Sequence, residues 1–289
     1  MTRREDFRLV TGRGRYTADW NLPGQLHAVF LRADRAHAEI VRIDASNALK
    51  HPGVIAVYTG ADARAAGFKS LPNPVGSPGR GGMAMQKPFF PVLAMDRVHY
   101  VGEAVALLVA ETAAIAEDAC DLIDVEYCDL RAVTNVDEAL SPGASLVHAS
   151  VPGNLAYDFE SGDEQATAAA FARAKFISKV TVESQRLAGN AMEPRAILVA
   201  HEDSSGRYTM HTLLQGQGGM RGQIMHVSGL DKDKLELVAQ DVGGSFGVRG
   251  PAGHRLCDRT AGRLRGARTR FRSYSPAPQK FHSTRRHAL

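Results

Sequence analysis

The sequence predicts an α/β (α+β) fold, and two observations carry that reading. Residues 98–110, VHYVGEAVALLVA, form a continuous apolar strand region suited to burial on both faces, and ETAAIAEDACDLI follows at once with apolar residues at helical spacing. Downstream, helical and strand-like stretches alternate again up to residue 242, which argues for helices layered on sheets. The chain has 289 residues and 44% hydrophobic content, enough for one large domain or two ordinary ones, each with its own core.

The elements are justified in order. LHAVFLRA and AEIVRIDA, within residues 26–45, read as two strands. ASNALKHPG is a short helix stopped by Pro-Gly, VIAVYTG a strand, and ADARAAG a helical turn ended by Gly67. Residues 69–87 are rich in Pro, Gly and Ser, show no apolar period, and read as a loop. The strand region 98–110 leads to a helix for which Thr112 is the candidate N-cap, and DVEYCDL is a further strand. Residues 131–161 carry turn residues without a period and read as a connection. A helix begins at Asp163, and FISKVTVESQR (176–186), RAILVAHED and RYTMHTLL read as strands. GMRGQIMHVSGL is a helix ending at Gly229, and Leu235–Val242 returns as a buried strand running into the glycine turn GGSFG.

Composition sets bounds on function. No run of 18 apolar residues exists, so no transmembrane helix is expected; MTRREDFRLV lacks an apolar signal region, and a cytoplasmic location is expected. Three cysteines, Cys120, Cys128 and Cys257, suggest reduced thiols rather than a disulfide framework, and no His/Cys cluster has metal-ligand spacing. The formal charge of +4 misleads: residues 251–289 hold ten Lys/Arg and one acid, leaving 25 basic and 30 acidic residues in 1–250. The hint of a nucleic-acid or anionic partner therefore comes from the tail alone.

Several short patterns could carry chemistry. LLQGQGGMRG feeds a strand into a glycine-rich turn and a helix, where backbone amides can bind phosphate. It misses the dinucleotide fingerprint by one position: Gly216 and Gly218 fit, but Arg221 stands where the third glycine belongs and Gly222 comes one later. The alternative is a plain strand-to-helix turn. In DVGGSFGVRG, Gly243, Gly244 and Gly247 permit positive φ and close backbone approach around Phe246, which is either a core plug or a wall against a flat or polar ligand. The same turn fits Gly-x-Ser-x-Gly with Ser245 central, but breakers replace the helix a nucleophile elbow needs, and Asp258 is the only later acid. Glu193, held extended before Pro194, is a general base or, more ordinarily, an ion-pair partner. His148, His201, His211 and His226 lack triad-like neighbours and read as surface or core histidines.

Taken together, GRGRYTADW, HAEIVRIDASNALKHPGVIAVYTGAD and LAMDRVHYVGEAVALLVAET resemble an α/β-hammerhead domain. The resemblance is to the large, molybdenum-binding subunit of xanthine dehydrogenases, aldehyde oxidases and aerobic carbon monoxide dehydrogenases. GNLAYDFESGD, SQRLAGNAMEPRAILVA, TLLQGQ and VAQDVGGSFGVRG resemble the start of its molybdopterin-binding domain, in order and spacing. The resemblance implies a hammerhead domain at 1–131, a linker at 132–161, the beginning of the molybdopterin-binding domain at 162–250 and a basic tail at 251–289. It implies that Gln215 hydrogen-bonds a ligand of the molybdenum, and that Gly243, Gly244, Phe246 and Gly247 lie against the cofactor. It implies hydroxylation of an aldehyde or aromatic heterocycle, or oxidation of CO, with oxygen derived from water and a glutamate as base. That base lies beyond the residues present, so no catalytic residue is assigned and Glu193 does not match it. The cofactor is molybdenum–molybdopterin, expected as the cytosine dinucleotide form in bacteria, with FAD and 2Fe–2S clusters on partner subunits.

After GVRGPA the family's buried helix and strand give way to a segment with seven Arg between 255 and 272 and prolines at 276 and 278. The expectation is a disordered tail, read as out-of-frame translation, on a chain that is catalytically silent as it stands. Two other classes stay open: a non-catalytic subunit-binding or assembly module, and a nucleic-acid-binding protein with a basic C-terminal arm.

Overall fold

The apolar run at 98–110 divides in two, and the division organises the first half of the molecule. The computed structural model describes residues 3–73, 76, 78–182, 193, 195–214, 216–239 and 241–244. Its first elements are α1 (Asp6–Val10), β1 (His27–Arg32), β2 (Ala38–Asp44), α2 (Ser46–Lys50), β3 (Val54–Thr59), α3 (Gly60–Ala65), β4 (Arg97–Val98), β5 (Ala104–Ala110), α4 (Ala113–Cys120) and β6 (Asp124–Asp129). They form two three-stranded antiparallel sheets, ordered β1-β5-β3 and β4-β2-β6. Val98 therefore pairs with Ala38 in one sheet while Ala104 begins a strand in the other. Between them the chain turns at Gly102, at φ +87°, and is pinned by Gly102 N–H to Ala33 O and Ala33 N–H to Glu103 O. One uninterrupted strand could not serve two sheets.

β5 lies at the centre of its sheet and is buried on both faces, as its apolar run predicts. Ala106, Leu108 and Ala110 pack with Ala48, Ala116, Ala119 and Ile123 beneath α4. Val105, on the opposite face, joins Ala33, Ala38, Ala94 and Val98 of the second sheet's core. Burying a side chain such as Leu108 completely contributes roughly 1.5–3 kcal/mol. Thr112 caps α4, its hydroxyl oxygen accepting from Ile115 N–H at 3.2 Å. Cys120 is buried and Cys128 exposed, both free, and burial pushes the Cys120 thiol pKa up.

The stretch read as a connection is tied down by polar contacts. It holds α5 (Val136–Ala139), capped by Asn135. The Asn154 side chain accepts from Val147 N–H and donates to the carbonyls of Ala139 and Ser145. The loop of residues 69–87 bonds outward as well, Lys69 N–H to Val227 O and Gln86 N–H to Ala156 O.

The second half comprises α6 (Glu164–Arg173), β7 (Ile197–Glu202), β8 (Arg207–Thr212), α7 (Gln217–Ser228) and β9 (Leu235–Val238). Asp163 caps α6, with Ala166 N–H donating to its carboxylate at 2.8 Å. β7 pairs antiparallel with β8, and β8 parallel with β9, so β8–α7–β9 is a βαβ unit. Leu214, Met220, Leu235 and Leu237 form its core.

Two strand expectations need correction. Over its described part, residues 176–182, the segment 176–186 is not a strand. Phe176, Ile177, Val180 and Val182 are exposed, and no described strand lies beside them; β propensity without a hydrogen-bonding neighbour does not make a strand. The strand from Leu235 stops at Val238, because Asp241 and Gly243 leave the ladder for partners elsewhere in the chain.

Candidate functional site

Because β8 and β9 run parallel, the chain leaves both at the same edge of the sheet. The described residues that follow, 213, 214 and 216 after β8 and 239 and 241–244 after β9, therefore leave from one edge, the position at which sheets of parallel strands hold ligands. Gly216 sits at φ +84° as the N-cap of α7 and offers no capping side chain. A Cβ at Gly216, Gly218, Gly219 or Gly222 would meet nothing within 4 Å among the described residues. The first turn of α7 has no side-chain cap, and its backbone amides are of the kind that can bind an anion, although the dinucleotide spacing fails there. Gln217 Nε2 donates to Leu237 O and Arg221 Nη2 to Leu235 O, each at 2.5 Å, so the helix start is fixed to β9.

The glycine turn after β9 is held from two sides by carboxylates. Glu193, 6% exposed, accepts from Gly243 N–H at 2.7 Å and from Thr17 N–H at 3.2 Å. A Cβ on Gly243 would stand 2.3 Å from Glu193 Cβ, so only glycine fits there. Gly244 follows at φ +103°. Asp241 makes a bidentate ion pair with Arg8 and accepts Arg15 N–H at 2.8 Å. The Arg8 guanidinium and then the Arg15 amide hold the Asp241 carboxyl down at about 2. Its contribution to stability is present above the ordinary carboxylate range and is lost as pH falls through that value. Beside these contacts Arg15 lies over the Trp20 ring at 3.9 Å, and Trp20 stacks on His211 of β8 at 5.3 Å between ring centroids. Trp20 Nε1 and His211 Nδ1 are buried and have no hydrogen-bond partner among the described residues.

Of the sequence-predicted site residues, Gly243 and Gly244 are in this turn. Gln215, Phe246 and Gly247 lie outside the described residues, as do Ser245 and Asp258 of the hydrolase alternative. Among the described residues Glu193 meets two backbone amides and no cation, so there the ion-pair reading gives way to an anchoring contact. His201 makes an exposed pair with Asp203, and His226 lies in the last turn of α7. His148 does have neighbours: it stacks on His99 at 4.3 Å, with His37 6.0 Å beyond. Burial first, then the two other imidazoles, push its pKa down to about 4. Sequence reasoning missed Arg8, Arg15, Thr17, Trp20 and Asp241. Their contacts cross some 200 residues of chain, and no local period signals them.

A helix start and a glycine turn at the ends of neighbouring parallel strands are a place where a polar, phosphate-bearing ligand can be held. Residues 11–131 match the family model described as aldehyde oxidase and xanthine dehydrogenase, a/b hammerhead domain, and residues 147–261 match the molybdopterin cofactor-binding domain. The chain is 36% identical to the nicotine 6-hydroxylase large subunit of Paenarthrobacter nicotinovorans over 255 residues, 86% of this chain and 30% of that one. It is 30% identical to the carbon monoxide dehydrogenase large chain of Afipia carboxidovorans, over 84% of this chain and 30% of that one. Among solved structures, quinoline 2-oxidoreductase from Pseudomonas putida 86 superposes with a TM-score of 0.75 at 32% identity, covering 91% of this chain and 33% of that one. Carbon monoxide dehydrogenase from Oligotropha carboxidovorans does so with a TM-score of 0.78 at 29% identity, covering 92% and 33%. The chain belongs to the aldehyde oxidase and xanthine dehydrogenase family and corresponds to the N-terminal part of its molybdopterin-binding large subunit. It spans about 30% of the length of these curated relatives.

Proposed function

We propose that the loops leaving β8 and β9 form one wall of a molybdopterin site in a molybdenum hydroxylase. The observation that carries this is the juxtaposition of the α7 start and the glycine turn at the ends of neighbouring parallel strands, inside the stretch matched by the cofactor-binding domain. The cofactor, when bound, supplies oxygen transfer to the substrate and accepts two electrons from it. Gln215 would donate a side-chain hydrogen bond to a ligand of the metal. Gly244 and Gly247 would let backbone amides approach it at low steric cost, and Phe246 would lie against it. Gly243, whose N–H already donates to Glu193, sets the start of the turn.

In this reading 1–131 is the hammerhead domain, 132–161 a linker, 162–250 the start of the cofactor domain and 251–289 a basic tail. The cofactor is the cytosine dinucleotide form, electrons leave through FAD and 2Fe–2S partner subunits, and the assembly is cytoplasmic. The substrate is an aldehyde or aromatic heterocycle, or CO, in line with relatives named for nicotine, quinoline and carbon monoxide.

The test is a chimera in which residues 8–250 replace the matching stretch of the nicotine 6-hydroxylase large subunit. The chimera should carry molybdenum, and Gln215→Ala should lower kcat about 100-fold with little loss of metal, since one polar contact to the reacting centre contributes a few kcal/mol in the transition state. Unchanged turnover would remove Gln215 from the site; a chimera without molybdenum would overturn the reading.

A further inference from the structure

We infer that Glu193 is a positioning residue for the cofactor site, holding the Gly243–Gly244 turn in register with the segment 15–20 that precedes the first sheet. The inference deepens the proposed function and rests on it only for the identity of the ligand. Glu193 lies in neither loop that forms the wall, yet its carboxylate touches both the turn and the first half of the molecule. Its two oxygens divide the work: Oε2 accepts Gly243 N–H at 2.7 Å and Oε1 accepts Thr17 N–H at 3.2 Å. Both donors are backbone amides, so displacing the carboxylate shifts main chain. Thr17 and Glu193 are 5% and 6% exposed, so little water can replace a lost bond.

The geometry calls for a side chain that accepts at two oxygens. Two N–H donors converge on it, and a carboxylate accepts at both oxygens. A glutamine of the same size offers one acceptor and would aim an NH₂ group at the other donor. Backbone contact at Gly243 leaves no slack, since even a methyl group there would overlap Glu193 Cβ. Asp241 repeats the device two residues earlier in the turn, bonding Arg15 N–H and the Arg8 guanidinium. Residues 8–17 are thereby joined to 241–243 by two carboxylates, and the amide of Gly244, next in the chain, takes its direction from them.

The experiment uses the 289-residue chain itself. In the unaltered chain, through-hydrogen-bond couplings should link the Gly243 and Thr17 amide nitrogens to the Glu193 side-chain carboxyl carbon. Glu193→Gln should speed hydrogen exchange at both amides about tenfold or more while amides of residues 104–110 stay as slow as before. A packing role predicts no such change, because Gln fills the same volume. Equal exchange in the two chains, or no coupling in the unaltered one, overturns the inference. If Glu193→Gln fails to fold, the couplings in the unaltered chain decide alone. The chimera's molybdenum content is read separately, so the site's ligand identity can fail while the Glu193 contacts stand, and the reverse.

Discussion

The sheet pair of β1–β6 and the βαβ unit of β8–α7–β9 solve the burial problem differently. In the first, β5 has a strand on either side, α4 over one face and the second sheet against the other. In the other, β7 is an edge whose Ile197 and Val199 are 54% and 44% exposed, and residues 176–182 hold a row of exposed apolar side chains. The first half builds its two core clusters from its own residues. The second borrows: its glycine turn is anchored by Arg8, Arg15 and Thr17, and its strand β8 by Trp20. The glycine turn is thus held from the side of the first half.

The comparison breaks if the two halves melt as one. Leu108→Ala should cost about 2–5 kcal/mol, because it opens a cavity in a core sealed on both faces. Urea unfolding followed by exchange at 104–110 and at 208–212 should show both regions destabilised. Leu235→Ala, which empties the core beneath α7, should speed exchange at 208–212 only. A Leu235→Ala chain that also loses protection at 104–110 would contradict the division.

A smaller effect sharpens it at the histidine stack joining the first half to the connection. His148 titrates at about 4 in the folded chain, below the ordinary imidazole value. The folded state then binds fewer protons than the unfolded one, so stability is full above about pH 6.5 and falls as pH drops toward 4. With allowance for solvent screening the loss from pH 7 to pH 5 should be about 1–2 kcal/mol. Urea midpoints at the two pH values should differ accordingly, and His148→Phe should flatten the difference. The smallest effect belongs to the α4 cap. Thr112→Ala removes the acceptor for Ile115 N–H and should cost about 1 kcal/mol, seen in the thermal midpoint of the first half alone.

How far these features could be read from sequence follows from their range. The Thr112 and Asp163 caps, the Gly229 stop and the central place of β5 were all legible, because cap, period and apolar run are local signals. The division of 98–110 was not: Gly102 stands mid-run, and only the presence of a second sheet decides that the chain must turn there. The segment 176–182 failed for the complementary reason, since its pattern is that of a strand and pairing belongs to the neighbour. At the candidate site the glycines stood out by spacing, whereas Asp241 and Thr17 carried no mark until the fold joined them.

The chain's single tryptophan lies where the halves meet, with a guanidinium over one face and an imidazole against it. The imidazole can quench indole emission, and it comes from β8, the element that parts from residues 15–20 if the seam opens. The molecule therefore carries an intrinsic optical gauge of its own docking: fluorescence from Trp20 should rise when residues 15–20 separate from β8, before either core is exposed to water.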